Sequence, residues 1–189
     1  MLEKIHVLGF SGSLRKASFN AGLLRTAMEQ LPEDMTLEIF DLAPIPFYNE
    51  DLNVDGGPEP VKAFKARIAA ADALLIATPE YNYSIPGVLK NAIDWASRPK
   101  KDTPIIGKTV AIMSASTGKL GGARAQYHLR QSFVFLNMHP VNQPEVMLAS
   151  AADNIDANGK LTNEQTRALI RQLIEALVKL TNQSECKQQ

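Results

Sequence analysis

Cysteine is almost absent: Cys186 stands alone in a polar stretch near the end of the chain. A lone thiol builds neither a disulfide nor a thiolate metal cage. The three histidines, His6, His128 and His139, are scattered, so no metal site is expected. Charge of one sign is missing as well, with 20 Lys+Arg against 20 Asp+Glu. Without a basic excess, nucleic acid is an unfavourable main partner, because phosphate binding needs clustered Lys and Arg. Without an acidic excess, docking onto a basic protein partner lacks its usual steering field. No stretch approaches the ~20 apolar residues of a membrane span. The apolar start Ile5–Phe10 is too short for a secretory leader and runs straight into Ser11-Gly12-Ser13. The expectation is a cytoplasmic protein with no membrane partner. What is present is a 45% hydrophobic content, enough for a full core, in 189 residues, a length suited to one domain spanning 1–189.

Strand-like and helix-like patterns alternate along the whole chain. Ile5–Phe10, Leu37–Leu42, Ala73–Thr78, Thr109–Ser114 and Pro144–Leu148 read as strands, with Ala73–Thr78 the most continuous apolar run and hence central. Between them lie helical stripes. Asn20 is expected to cap a helix carrying Leu23, Leu24 and Ala27, and Pro86 to open one carrying Leu89, Ala92 and Ile93. Gly121-Gly122 precede a helix through Leu129 and Phe133. Thr162 and Gln165 form a capping box for a last helix through Leu169, Leu173 and Leu177. From about Thr181 the residues are polar and expected to fray, leaving a tail over 181–189. Five strands each followed by a helix predict an α/β, doubly wound five-stranded parallel sheet of order 2-1-3-4-5. In such a sheet, ligands bind beyond the carboxyl ends of the strands beside the switch point, so chemistry should follow Phe10, Thr78 and Ser114.

The loops at those three places carry ligand-type groups. After the first strand, Ser11, Ser13, Ser18, Asn20 and Arg15 gather before a helix start, where backbone N–H groups and the dipole favour an anion. Arg15 can add a two-pronged contact to phosphate oxygens. The pattern is neither Gly-x-Gly-x-x-Gly nor a Walker loop, so a mononucleotide phosphate suits it better than a dinucleotide or ATP. After the third strand, Pro79, Glu80, Tyr81, Asn82 and Tyr83 form a stiff aromatic loop able to run along the edge of a planar ring. After the fourth, Ser116 and Gly118 belong to a small-residue loop that permits close backbone approach. Two other patterns are set aside. Gly107-Lys108-Thr109 lacks the spacing of a P-loop and precedes a strand, and Asn154-x-Asp156-x-Asn158-Gly159 lacks the entering helix and final carboxylate of a calcium loop.

Three segments carry a family resemblance: Gly12-Ser13-Leu14-Arg15-Lys16-x-Ser18-x-Asn20, Thr78-Pro79-Glu80-Tyr81-Asn82-Tyr83-Ser84-Ile85-Pro86-Gly87 continuing to Trp95, and Gly121-Gly122-Ala123-Arg124-x-Gln126-Tyr127-His128-Leu129-Arg130-Gln131. On them the chain, from roughly Ile5 to Leu148, resembles the NAD(P)H-dependent FMN reductases of the flavodoxin-like superfamily, a group that includes bacterial quinone, chromate and azo-dye reductases. By that resemblance Ser11, Ser13, Arg15, Ser18 and Asn20 hold the FMN phosphate. Glu80, Tyr81, Asn82 and Tyr83 edge the isoalloxazine, with Pro79 in the same cofactor-binding set, and Ser116 and Gly118 close the far side. The resemblance also implies a homodimer or homotetramer, for which the helix after Gly122 and the loop Pro46-Phe47-Tyr48-Asn49 are the candidate contacts. The implied activity passes electrons from NADPH or NADH through bound FMN to quinones, and to chromate, azo compounds or free flavin, by a ping-pong mechanism, with no catalytic side chain required. Two alternatives differ in class: a flavodoxin-type FMN electron carrier that does not oxidise NAD(P)H, and a cofactor-free interaction module of the same fold. The neutral charge weighs against the carrier, and the ligand-type groups on three loops weigh against the module.

Overall fold

The computed structural model describes residues 4–99 and 103–185, so Cys186 and the last residues of the expected tail lie outside the described residues. Within them the strands are β1 Ile5–Ser11, β2 Met35–Phe40, β3 Ala73–Thr78, β4 Thr109–Ala115, β5 His139–Pro140 and β6 Val146–Leu148. The helices are α1 Phe19–Met28, α2 Glu59–Ala70, α3 Gly87–Ala96, α4 Ala123–Phe135, α5 Ala151–Asn154 and α6 Glu164–Glu185. All pairings between these strands are parallel, in the order β2-β1-β3-β4-β5 with β6 also on β4. This is the flavodoxin-like order 2-1-3-4-5.

Side-chain alternation in the strands builds two cores, one on each face. Ala73, Leu75 and Ala77 of β3 and Ala111, Met113 and Ala115 of β4 point to the face covered by α1 and α6. Leu74, Ile76, Val110 and Ile112 point to the face that also buries Phe64, Leu89, Trp95 and Phe133. The stripe on α6 lies in the first core through Ile170, Leu173, Ile174 and Leu177. No helix among the described residues is long and apolar enough to cross a membrane.

Five boundaries depart from the sequence expectation, each for a local reason. β2 starts at Met35 and ends at Phe40 because it runs in register with β1 from Ile5 to Phe10. The Asp41 carboxylate then accepts the Ala43 N–H at 2.9 Å and turns the chain. The fifth strand is divided: His139–Pro140 pairs with Thr109–Val110, and Val146–Leu148 with Met113–Ala115. Pro140 and Pro144 have no N–H to give, so a continuous ladder through this segment would lack donors. Ser18 rather than Asn20 caps α1, its hydroxyl accepting the Ala21 N–H at 3.2 Å. Asn163 rather than Thr162 caps α6, accepting the Thr166 N–H at 2.8 Å, and Thr162 instead donates to the Asn154 carbonyl. α6 continues to Glu185, and Thr181, where a frayed tail was expected to begin, is a buried residue of this helix with its hydroxyl on the Leu177 carbonyl.

Candidate cofactor site

Parallel strands deliver all their carboxyl ends to one edge, and the three ligand-bearing loops meet there. Between them opens a cavity of about 140 Å³. Ser13, Arg15, Ser18 and Asn20 line it from the first loop, Pro79, Glu80 and Tyr81 from the second, and Ser116 from the third. Phe19, Ala115 and Thr117, which sequence reasoning did not single out, complete the wall. Ser11, Asn82, Tyr83 and Gly118 stand just outside it. Thr117 was within reach of the sequence, since it lies between two expected residues; the part played by Ala115 depends on a contact distant in the chain.

The first loop curls through short-range hydrogen bonds. The Ser11 hydroxyl accepts the Ser13 N–H at 3.1 Å, and the Ser18 N–H donates to the Arg15 carbonyl at 3.1 Å. Gly12 lets the curl lie on the start of α3, since a Cβ there would stand 2.9 Å from Pro86 Cγ. The Arg15 guanidinium donates to the Ala17 carbonyl at 2.8 Å and lies 5.2 Å from the Phe19 ring centroid, which places its charge beside the α1 N-terminus. Phe19 and Asn20 stand in the first turn of α1, whose backbone N–H groups are of the kind that can receive an anion. Hydroxyls, one guanidinium and a helix N-terminus on one wall make a donor set that fits a phosphate monoester.

The Asn20 side chain has a different position from the one expected of a ligand. It is buried, donates through Nδ2 to the Ala115 carbonyl at 3.0 Å, and accepts the Ala115 N–H through Oδ1 at 2.9 Å. Both ends of the amide are thus committed to the tip of β4, and Asn20 works as a strut between the first and third loops.

The second loop is a two-residue hairpin. Tyr81 and Ser84 exchange N–H···O=C bonds of 2.9 and 3.0 Å, and Asn82 and Tyr83 both hold positive φ, at 50° and 67°. Positive φ is ordinary for Asn and uncommon for a bulky residue such as Tyr. Both tyrosine rings remain at least half exposed. The Glu80 carboxylate does not face the cavity mouth with them. It accepts the Arg124 backbone N–H at 3.0 Å and the Arg124 Nε–H at 2.6 Å.

The third loop is fastened from behind. The Ser116 N–H donates to the Leu148 carbonyl at 3.0 Å, and the Ser116 hydroxyl accepts the Gly118 N–H at 3.1 Å. Gly122, with φ of 89°, starts α4 against β4, where a Cβ would come within 2.7 Å of the Ser114 Cβ. The two patterns set aside lie elsewhere. Lys108 precedes β4 at the opposite rim, and Asp156 spends its carboxylate on the Asn158 and Lys160 N–H groups, both at 2.9 Å.

Residues 5–153 match the family model described as NADPH-dependent FMN reductase. An NAD(P)H-dependent FMN reductase of Pseudomonas aeruginosa is 54% identical over 177 residues, covering 94% of this chain and 95% of the relative. An NAD(P)H:quinone oxidoreductase of Solanum tuberosum is 47% identical, covering 92% and 91%. Among solved structures, the flavoenzyme NAD(P)H:(acceptor) oxidoreductase FerB of Paracoccus denitrificans superposes with a TM-score of 0.86 at 34% identity, over 95% of this chain and 98% of that one. With the sheet order, the three-loop rim and this identity along nearly its full length in agreement, the chain belongs to the NADPH-dependent FMN reductase family.

Proposed function

We propose that this chain oxidises NADPH or NADH and reduces quinones, with FMN held at the three-loop rim. The observation that carries the reading is the meeting of an anion-binding loop, an aromatic hairpin and a small-residue loop on one cavity. Arg15, the Ser13 and Ser18 hydroxyls and the first-turn amides of α1 bind the phosphate. The cavity is small beside the several hundred Å³ of a whole-ligand pocket. It therefore suits the phosphate end, and the main-chain groups of residues 80–83, with Ser116 and Gly118, would hold the ring. FMN bound there would supply the two-electron redox chemistry that links the nicotinamide to the acceptor.

The exposed tyrosines leave the same face open to nicotinamide and acceptor in turn, a ping-pong order. Quinones are the acceptor class favoured by the quinone oxidoreductase relative; chromate, azo compounds and free flavin are further acceptors in this proposal. The proposed assembly is a homodimer or homotetramer in the cytoplasm. Its contacts draw on α4, where Val134 is 84% exposed, and on the 46–49 loop, where Phe47 is equally so.

The test is to reconstitute the purified protein with FMN, add NADPH or NADH without oxygen, and then add a quinone. Bleaching of the yellow colour by the nucleotide and its return with the quinone is the expected result. Protein that takes up no FMN overturns the reading. Yellow protein that neither nucleotide bleaches is the electron carrier instead.

A further inference from the structure

Glu80 and Arg124 lie 44 residues apart, behind the hairpin rather than in it. The Glu80 side chain is only 9% exposed and is held on two sides by α4: the backbone N–H of Arg124, in the first turn, and the Arg124 Nε–H. A carboxylate at that place also interacts favourably with the helix dipole. The Arg124 guanidinium continues forward over the Tyr83 ring, 3.5 Å from its centroid. A planar cation at that distance holds an aromatic face by electrostatic attraction and stacking. Tyr83 needs such holding. It sits at a φ of 67°, where a bulky residue pays a conformational penalty, and its ring is otherwise mostly exposed.

We propose that Glu80 and Arg124 are positioning residues that bolt the 81–84 hairpin to the N-terminus of α4 and so hold its main chain against the isoalloxazine ring. Neither side chain needs to touch the ring. Their opposite charges cancel locally, so what the pair transmits is geometry. This inference rests on the FMN reading above, and it divides the site into two separable parts. Arg15 serves the phosphate, and the Glu80–Arg124 pair serves the ring.

That division is testable with two ligands, FMN and riboflavin, which share the ring and differ in the phosphate. Dissociation constants follow from quenching of flavin fluorescence, alongside the visible spectrum of the bound flavin. Glu80→Ala and Arg124→Met should each weaken FMN and riboflavin by the same factor, about tenfold or more, and shift the visible band. Arg15→Ala should weaken FMN and leave riboflavin unchanged. Arg124→Lys keeps the cation but loses the planar stack, and should restore only part of the loss. Should Glu80→Ala not fold, Arg124→Met carries the test, because its side chain is 36% exposed and lies outside both cores. Variants of the pair that bind both flavins as wild type does, with an unshifted spectrum, overturn the inference and leave the FMN reading intact. The same holds for variants that weaken FMN alone. Wild-type protein that binds neither flavin overturns the reading and the inference together.

Discussion

Arg15 and Asn20 stand five residues apart, one in the first loop and one in the first turn of α1, and their side chains are placed in opposite ways. Arg15 is exposed and pre-placed by the Ala17 carbonyl, while the Asn20 side chain is buried and spent on both backbone groups of Ala115. Arg15→Ala should therefore leave the urea midpoint almost unmoved and weaken FMN about tenfold to a hundredfold, since a charged hydrogen bond contributes about 1.5–3 kcal/mol. FMN bound as tightly as before would place the phosphate elsewhere. Asn20→Ala leaves a buried N–H and a buried C=O without partners. At about 1–3 kcal/mol for each such group, it should lower folding stability by about 2–6 kcal/mol in a urea titration. The sequence pointed to both residues as candidates for the site, because an arginine and an amide between a strand end and a helix start are ligand-type groups. It could not separate ligand from strut, since the partner of Asn20 lies 95 residues further along.

At the scale of elements, β1, β3 and β4 were legible almost to the residue, because a buried parallel strand is a continuous apolar run bounded by polar or glycine residues. The fifth position was not. Its division into β5 and β6 depends on which donors the chain can offer to β4, a question of pairing rather than of composition. The start of α4 shows how tightly this rim is packed. Gly122 has φ of 89° and would direct a Cβ to within 2.7 Å of the Ser114 Cβ, whereas a Cβ on Gly87, at the first position of α3, meets nothing within 4 Å. Gly122→Ala should destabilise the protein by more than about 1 kcal/mol, and Gly87→Ala should stabilise it by about 0.4–1 kcal/mol through the unfolded chain. Thermal midpoints of the two variants should fall on opposite sides of wild type; matching shifts would contradict the backbone argument.

Across the whole molecule the two rims of the sheet differ in character. The carboxyl rim holds the ligand groups. The amino rim holds Lys108, whose ammonium donates to the Ala71 carbonyl. Burial lowers its pKa below the ordinary 10.5, and the charge of Asp72 opposes that shift only in part. Between the lowered value and 10.5 the unfolded chain binds more protons than the folded one, so stability rises with pH through that window from this group and is unaffected below it. In an NMR titration the Lys108 ε-methylene should titrate before the exposed lysines, and Lys108→Met should remove this contribution from the alkaline slope of stability. A Lys108 that titrates together with the surface lysines would contradict the burial argument.

The amino-acid sequence by itself determined the doubly wound sheet, its strand order, the three loops at its carboxyl edge and the family, because each is written in side-chain periodicity or in a short contiguous motif. Only the tertiary structure decided what each polar group in those loops is spent on. The Glu80 carboxylate turned to α4, Asn20 became a strut to β4, and Arg124 reached the Tyr83 ring from a distant helix. The physical reason is that a buried polar group must find a partner wherever the fold brings one within hydrogen-bond reach, and that partner is set by contacts no local pattern encodes.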